Sequence, residues 1–131
     1  MNTQTSPHLN LLRNFSAVTA LLAVAQAVIG LLVAFTDFDA VNAHGWLGYA
    51  TFIAAVAAAI GAFLWKKVSG NTGLFMHAAG VAVLALIQIG LAEMGQRWAH
   101  IILGLLILGA ALALALLAFR KPGVVLDTHT R

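Results

Sequence analysis

Four apolar runs, each long enough to cross a bilayer, constrain this chain more than any other feature. A helix needs about 20 consecutive apolar residues to span the hydrocarbon core. Such runs cover about residues 11–35, 44–65, 73–93 and 98–119. The first is too long and too weakly flanked for a cleaved signal peptide, and no small-residue cleavage site follows it, so it is expected to belong to the mature protein. Across 131 residues, 62% are hydrophobic and only 8% charged. A soluble domain of this size needs far more polar surface to cover its core. The expected class is an all-α integral membrane protein, a single transmembrane domain over 1–131.

The connections are expected to be short, about eight, seven and four residues, and short connections join antiparallel neighbours. The resulting architecture is an up-down-up-down four-helix bundle. The tails "MNTQTSPH" and "KPGVVLDTHTR" are polar or broken by proline and are expected to fray.

Charge placement sets the expected orientation. Arg13 near the start of the first segment, Lys66 and Lys67 after the second, and Arg120 and Lys121 after the fourth all fall on one side. The other side carries Asp37, Asp39, Glu93 and Arg97 alone among basic residues. The positive-inside rule then puts both termini in the cytoplasm of a bacterial or archaeal plasma membrane. Trp46 and Trp98 fall at the outer interface and Trp65 at the inner one, as an aromatic belt requires. The net charge of +3 does not point to nucleic acid, because the basic residues sit at segment ends. Cysteine is absent, which excludes disulfides, iron–sulfur clusters and thiolate chemistry.

One motif occurs twice. Residues 43–48 read "AHGWLG" and residues 99–104 read "AHIILG", each opening an apolar segment. Upstream, "VIGLL" in the first segment answers "QIGLA" in the third. The chain thus reads as a two-helix hairpin used twice, the copies related by an axis along the membrane normal. In such a bundle the second and fourth helices are diagonal partners running in the same direction. His44 and His100 open them at one depth, so their imidazoles can face each other across the interior. Two neutral imidazoles on rigid helices are what a bis-histidine haem requires.

Residues four apart share a helix face. Gly48 and Thr51 therefore lie below His44, and Gly104 and Ile107 below His100. A glycine one turn under each ligand leaves room for a macrocycle edge, and Gly30 and Gly90 can do the same from the other two walls. Arg97 is placed to meet a haem propionate, since guanidinium suits carboxylate, or to pair with Glu93. Taken singly, a histidine at a helix opening is ordinarily an interfacial polar residue, and small-xxx-small spacing ordinarily marks helix packing. The repeat is what distinguishes this pair. Zinc is disfavoured, because it takes three or four ligands and no carboxylate is aimed at the two histidines. His77 has no counterpart and is expected to serve structure or a lipid headgroup; His8 and His129 carry no signal. Gln26 and Gln88 are expected to bond across helices, with a haem edge or a quinone carbonyl as the alternative.

On these residues the chain resembles one four-helix half of the heme A synthase family. That family has histidine ligands near the outer ends of its second and fourth helices, matching His44 and His100, and some archaeal members are a single bundle. The synthases also carry a glutamate about one turn before the helix 2 histidine. Here that region reads "DAVNAH", with Ala40 and Val41 where the acid would stand. The resemblance implies haem binding more than oxidation of a haem methyl group.

The expected function is a small membrane b-type cytochrome or haem-binding protein with one bis-histidine haem b near the outer leaflet. It would serve electron transfer or haem handling beside a respiratory or haem-biosynthetic partner, another copy of itself, or a quinone. It is expected to be a carrier rather than an enzyme. The alternatives are a cofactor-free accessory subunit of a larger membrane complex and, more weakly, a heme A synthase-like enzyme.

Overall fold

A computed structural model describes residues 5–122. Residues 1–4 and 123–131 lie outside it; they include half of the N-terminal stretch expected to fray, most of the C-terminal one, and His129. The architecture is all-helical: α1 spans Pro7–Phe35, α2 Val41–Ser69, α3 Thr72–Glu93 and α4 Arg97–Arg120. All four are long and apolar enough to cross a membrane. Helix α1 contacts α2 and α4, and α3 contacts the same two. Among the described residues the backbones of α1 and α3 do not approach each other, nor do those of α2 and α4, so these pairs are the diagonals of a square bundle. The chain therefore has a loop end, holding the α1–α2 and α3–α4 connections, and a termini end.

The helices are longer than the apolar runs because their ends are set by local chemistry. Pro7 begins α1 at a position where its missing N–H loses no bond, so the helix starts within the stretch expected to fray. At the other end Thr36 turns extended, its N–H and hydroxyl both donating to the Leu32 carbonyl at 3.0 and 2.6 Å. Helix α2 stops at Gly70, which takes φ +74° and donates to the Lys66 carbonyl. Only glycine adopts that backbone without steric strain. Lys66 and Lys67 in the last turn oppose the dipole and lie over the rings of Phe75 and Phe63. Asn71 then caps α3, its Oδ1 accepting from the Leu74 amide at 2.9 Å. Arg13 on α1 donates to the carbonyls of Ala118 and Lys121 at the end of α4, closing the bundle there.

Side-chain size is distributed inside out. The core is alanine-rich: Ala55, Ala58, Ala62, Ala78, Ala111 and Ala118 are all fully buried. Leu21, Ile53, Leu106 and Leu116 point outward, each at least 60% exposed. Lipid, not protein, covers bulky side chains in such an arrangement, and small residues let the backbones approach. At Gly61 the approach is closest. A Cβ there would lie 2.9 Å from the backbone nitrogen of Leu12.

The core occupies one half only. Its buried members run through Leu9–Ala23 of α1, Ala54–Ala62 of α2, Leu74–Ala85 of α3 and Ile107–Ala118 of α4, which is the half nearest the termini. The other half, toward the loops, contains a cavity of about 440 Å³.

Candidate functional site

Both repeated histidines line the loop-end cavity. Each is the fourth residue of its helix, His44 in α2 from Val41 and His100 in α4 from Arg97. Matched openings on parallel diagonal helices bring them together. Their ring centres are 5.9 Å apart with planes at 80°.

The two rings are held differently. His100 Nδ1 donates to the backbone carbonyl of Gln88 at 3.0 Å, and the Gln88 amide Nε2 donates to the His100 carbonyl at 2.7 Å. A carbonyl can only accept, so this bond puts the proton on Nδ1 and leaves the lone pair on Nε2. His44 has no such partner: its Nδ1 is buried and unpaired. The ring lies against Gly30, where a Cβ would come within 2.8 Å of His44 Cε1.

The hairpin register explains the difference. Gly30 sits in a helix ending at Phe35, and Gln88 in a helix ending at Glu93, so the two are equally far from their loops. Each faces the histidine of its own hairpin. One histidine meets a bare glycine and the other a glutamine. Pairing "VIGLL" with "QIGLA" is two residues out of this register, and Gly90 accordingly does not line the cavity. A Cβ at Gly90 would meet nothing within 4 Å. Its expected role in making room for a macrocycle is therefore not served.

Gly48 and Gly104 do line the cavity, but the space each leaves is already used. Gln26 Nε2 lies 3.0 Å from where a Gly48 Cβ would be, and Gln88 Nε2 lies 2.8 Å from a Gly104 Cβ. The two glycines make room for amides. Thr51 donates its hydroxyl back to the Leu47 carbonyl, and buried Ile107 closes the floor below His100.

Arg97 stands at the cavity edge. It donates to the Ala34 carbonyl at 2.6 Å, and its guanidinium lies 5.7 Å from both the Phe35 and Trp98 ring centres. It ties the end of α1 to the start of α4 rather than pairing with Glu93, which lines the same cavity. His77 is remote from the cavity. Its Nε2 donates to the Ala110 carbonyl at 2.8 Å, joining α3 to α4; a structural contact of this kind was one of the two roles expected for it.

Three buried polar atoms around the cavity have no partner: His44 Nδ1, Gln26 Oε1 and Gln88 Oε1. Ser16 Oγ and Trp65 Nε1 also lack partners. An unpaired atom alone therefore marks no site, whereas three around one cavity do. The role of Gln88 as the anchor of His100 was not part of the sequence expectation. The signal was the spacing across the α3–α4 loop, readable once the helix ends are fixed.

Two imidazoles bound to one iron would have ring centres about 6 Å apart, from bonds of about 2 Å and the radius of each ring; the separation here is 5.9 Å, whereas the space beside Gly48 and Gly104 is taken by the Gln26 and Gln88 amides. A volume of about 440 Å³ falls within the usual range of cofactor pockets. Among the described residues no group of three or more histidines, cysteines or acids could hold a bare metal ion.

Fold and cavity together define a four-helix bundle with four candidate membrane spans and a ligand-sized chamber at its loop end. Comparison with family models, with curated proteins and with solved structures finds no match. The resemblance to the heme A synthase family thus rests on the quoted residues alone.

Proposed function

We propose that the protein binds one haem b in the loop-end cavity, with His44 and His100 as axial ligands, and serves electron transfer or haem handling. The observation that carries this reading is the meeting of two imidazoles 5.9 Å apart across an interior cavity. When bound, haem supplies a one-electron couple. The chain supplies the rest. His100, its Nδ1 proton committed to Gln88, presents Nε2 as the donor. Gly30 gives the His44 ring its place. Alanines and Ile107 seal the floor against the termini half. Arg97 supplies positive charge at the mouth, where a propionate would emerge.

The distribution of charge supports an orientation with both termini in the cytoplasm of a bacterial or archaeal cell. Among the described residues Arg13, Lys66, Lys67, Arg120 and Lys121 lie toward the termini end, and only Arg97 lies at the loop end. The haem would then sit near the outer leaflet. Its partner would be an extracytoplasmic domain, a quinone, a larger respiratory or haem-biosynthetic complex, or a second copy of the chain.

A second reading has its own support. Both glycine spaces are filled by amides, and Gln88 and His100 make two hydrogen bonds to each other without a ligand. This favours interhelical polar glue in a cofactor-free accessory subunit. The visible spectrum decides. Protein purified in detergent and supplied with haemin should show a reduced-minus-oxidised b-type α band at one haem per chain. His77→Ala should leave that band unchanged, whereas loss of either His44 or His100 should change it. No α band at saturating haemin would refute the haem reading.

A further inference from the structure

Each helix sets one amide or imidazole in the wall of the loop-end cavity: Gln26 from α1, His44 from α2, Gln88 from α3 and His100 from α4. Two of these have fixed roles. His100 Nδ1 donates to the Gln88 carbonyl, so its Nε2 can only accept. The Gln88 amide Nε2 donates to the His100 carbonyl, so its Oε1 accepts, and that oxygen has no partner. Gln26 Oε1 has no partner either. It belongs to a terminal amide, whose last torsion is soft enough to turn toward an incoming group. A wall of acceptors calls for a ligand that donates. The acceptors also lie at two depths. Gln26 packs beside Gly48, four residues along α2 from His44, which faces His100. Four residues of helix rise about 6 Å, so a ligand that meets both levels carries hydroxyls at opposite ends of a short rigid body. The volume agrees, since about 150 Å³ holds a benzene ring and the cavity has about 440 Å³. The remaining space leads outward. Leu31 of α1 and Leu105 of α4, on neighbouring helices, both line the cavity and are 40% and 47% exposed in membrane-spanning segments.

We infer that the cavity binds the head of a lipid-soluble hydroquinone, one hydroxyl donating to His100 Nε2 and the other to Gln26 Oε1, with the apolar tail leaving between α1 and α4. The ring then stands along the bundle axis. Its tail, carried on the side of the ring, passes the wall formed by Leu31 and Leu105. The oxidised quinone has carbonyls alone and offers His100 Nε2 no proton, so the reduced form is preferred. His44, whose Nδ1 has no partner, takes whichever tautomer the bound head requires. No haem is needed, so the site stands apart from the reading above, and a haem and a hydroquinone would compete for the same space.

The test uses the full chain in detergent with no haemin, titrated calorimetrically with three probes that share a decyl tail. They are a benzohydroquinone kept reduced by dithionite, its quinone, and its dimethyl ether. The ether has the same ring and tail but no proton to donate, so it reports partition into detergent. The hydroquinone should bind saturably and about 5- to 150-fold more tightly than either other probe, the worth of a buried acceptor satisfied rather than left unpaired. His100→Ala should abolish the preference over the quinone. Gln26→Leu should weaken the hydroquinone and leave the ether unchanged. Equal binding of the three probes by the parent, tighter binding of the quinone, or no saturable binding overturns the assignment, and none of these needs a variant to fold. A b-type α band on adding haemin, with no preference for the hydroquinone, would uphold the haem reading and refute this site. Preference for the hydroquinone with no such band would do the reverse.

Discussion

Replacing Gly30 with alanine tests the placement of His44 directly. The new Cβ would lie 2.8 Å from His44 Cε1, 3.4 Å from Nδ1 and 3.5 Å from Nε2. Carbon atoms pack at about 3.5–4.0 Å, so the ring must withdraw by roughly 1 Å. Metal–imidazole distances tolerate only about 0.2 Å. Overpacking of this kind costs about 1–3 kcal/mol. At about 1.4 kcal/mol per decade that is roughly a 5- to 150-fold loss of haem affinity. The loss should not exceed that of His44→Ala, since displacing a ligand does no more harm than deleting it. Gly90→Ala is the matched control. It adds the same methyl to the same kind of helix, but into open space. Any intrinsic preference of the helix for alanine, about 1 kcal/mol in water, enters both variants alike. The assay is haemin titration followed in the Soret band, with thermal unfolding in detergent alongside. If Gly30→Ala binds haem as the parent does, or if both alanine variants lose affinity equally, His44 does not act from the position described.

Three further outcomes can be checked. Gly61→Ala places a Cβ 2.9 Å from the Leu12 backbone nitrogen, which cannot rotate away, so detergent unfolding should show about 1–3 kcal/mol of destabilisation with the haem spectrum intact. His77→Ala removes the bond to the Ala110 carbonyl and should cost about 0.6 to 1.7 kcal/mol, the range for polar contacts between membrane helices, with no spectral change. A cysteine at Ala40 should react with an impermeant thiol reagent on intact cells and Ser69→Cys only after lysis; the reverse pattern would place both termini outside. The native chain has no cysteine to confuse that result.

Much of the fold was legible because membrane helices announce themselves by length and hydropathy. Short connections fixed the square arrangement, and the repeated Ala-His-x-x-Leu-Gly opening fixed the common depth of His44 and His100. Helix ends were harder, since Pro7 and Lys66–Ser69 extend α1 and α2 beyond the apolar runs by capping and charge rather than by hydrophobicity. The site suffered from that uncertainty. Whether Gly30 or Gln88 faces a histidine depends on counting from the loop, and a shift of two residues turns a side chain to another helix face. Motif similarity chose Gly90 as the partner of Gly30. The geometry matches Gly30 with Gln88 instead. Gly48 and Gly104 were read as room for a macrocycle edge, but a sequence does not show which neighbour fills a glycine's space, and here Gln26 and Gln88 do.

The division of the bundle into two halves bears on how the cavity is tolerated. In the termini half, alanine-on-alanine contacts and the Gly61–Leu12 approach bring the helices close, and Arg13 closes the end of α4. In the loop half, three buried polar atoms lack partners, each at a cost of about 1–3 kcal/mol. Leucine at positions 26, 44 and 88 would remove that cost and put apolar atoms in place of the polar ones. A chain selected for packing alone would have them. Glutamine and histidine instead line the cavity, beyond the half in which small residues bring the helices together. Gly48 and Gly104 leave the room in which the amides of Gln26 and Gln88 lie, so the polar groups of that half are built into its packing rather than merely tolerated by it.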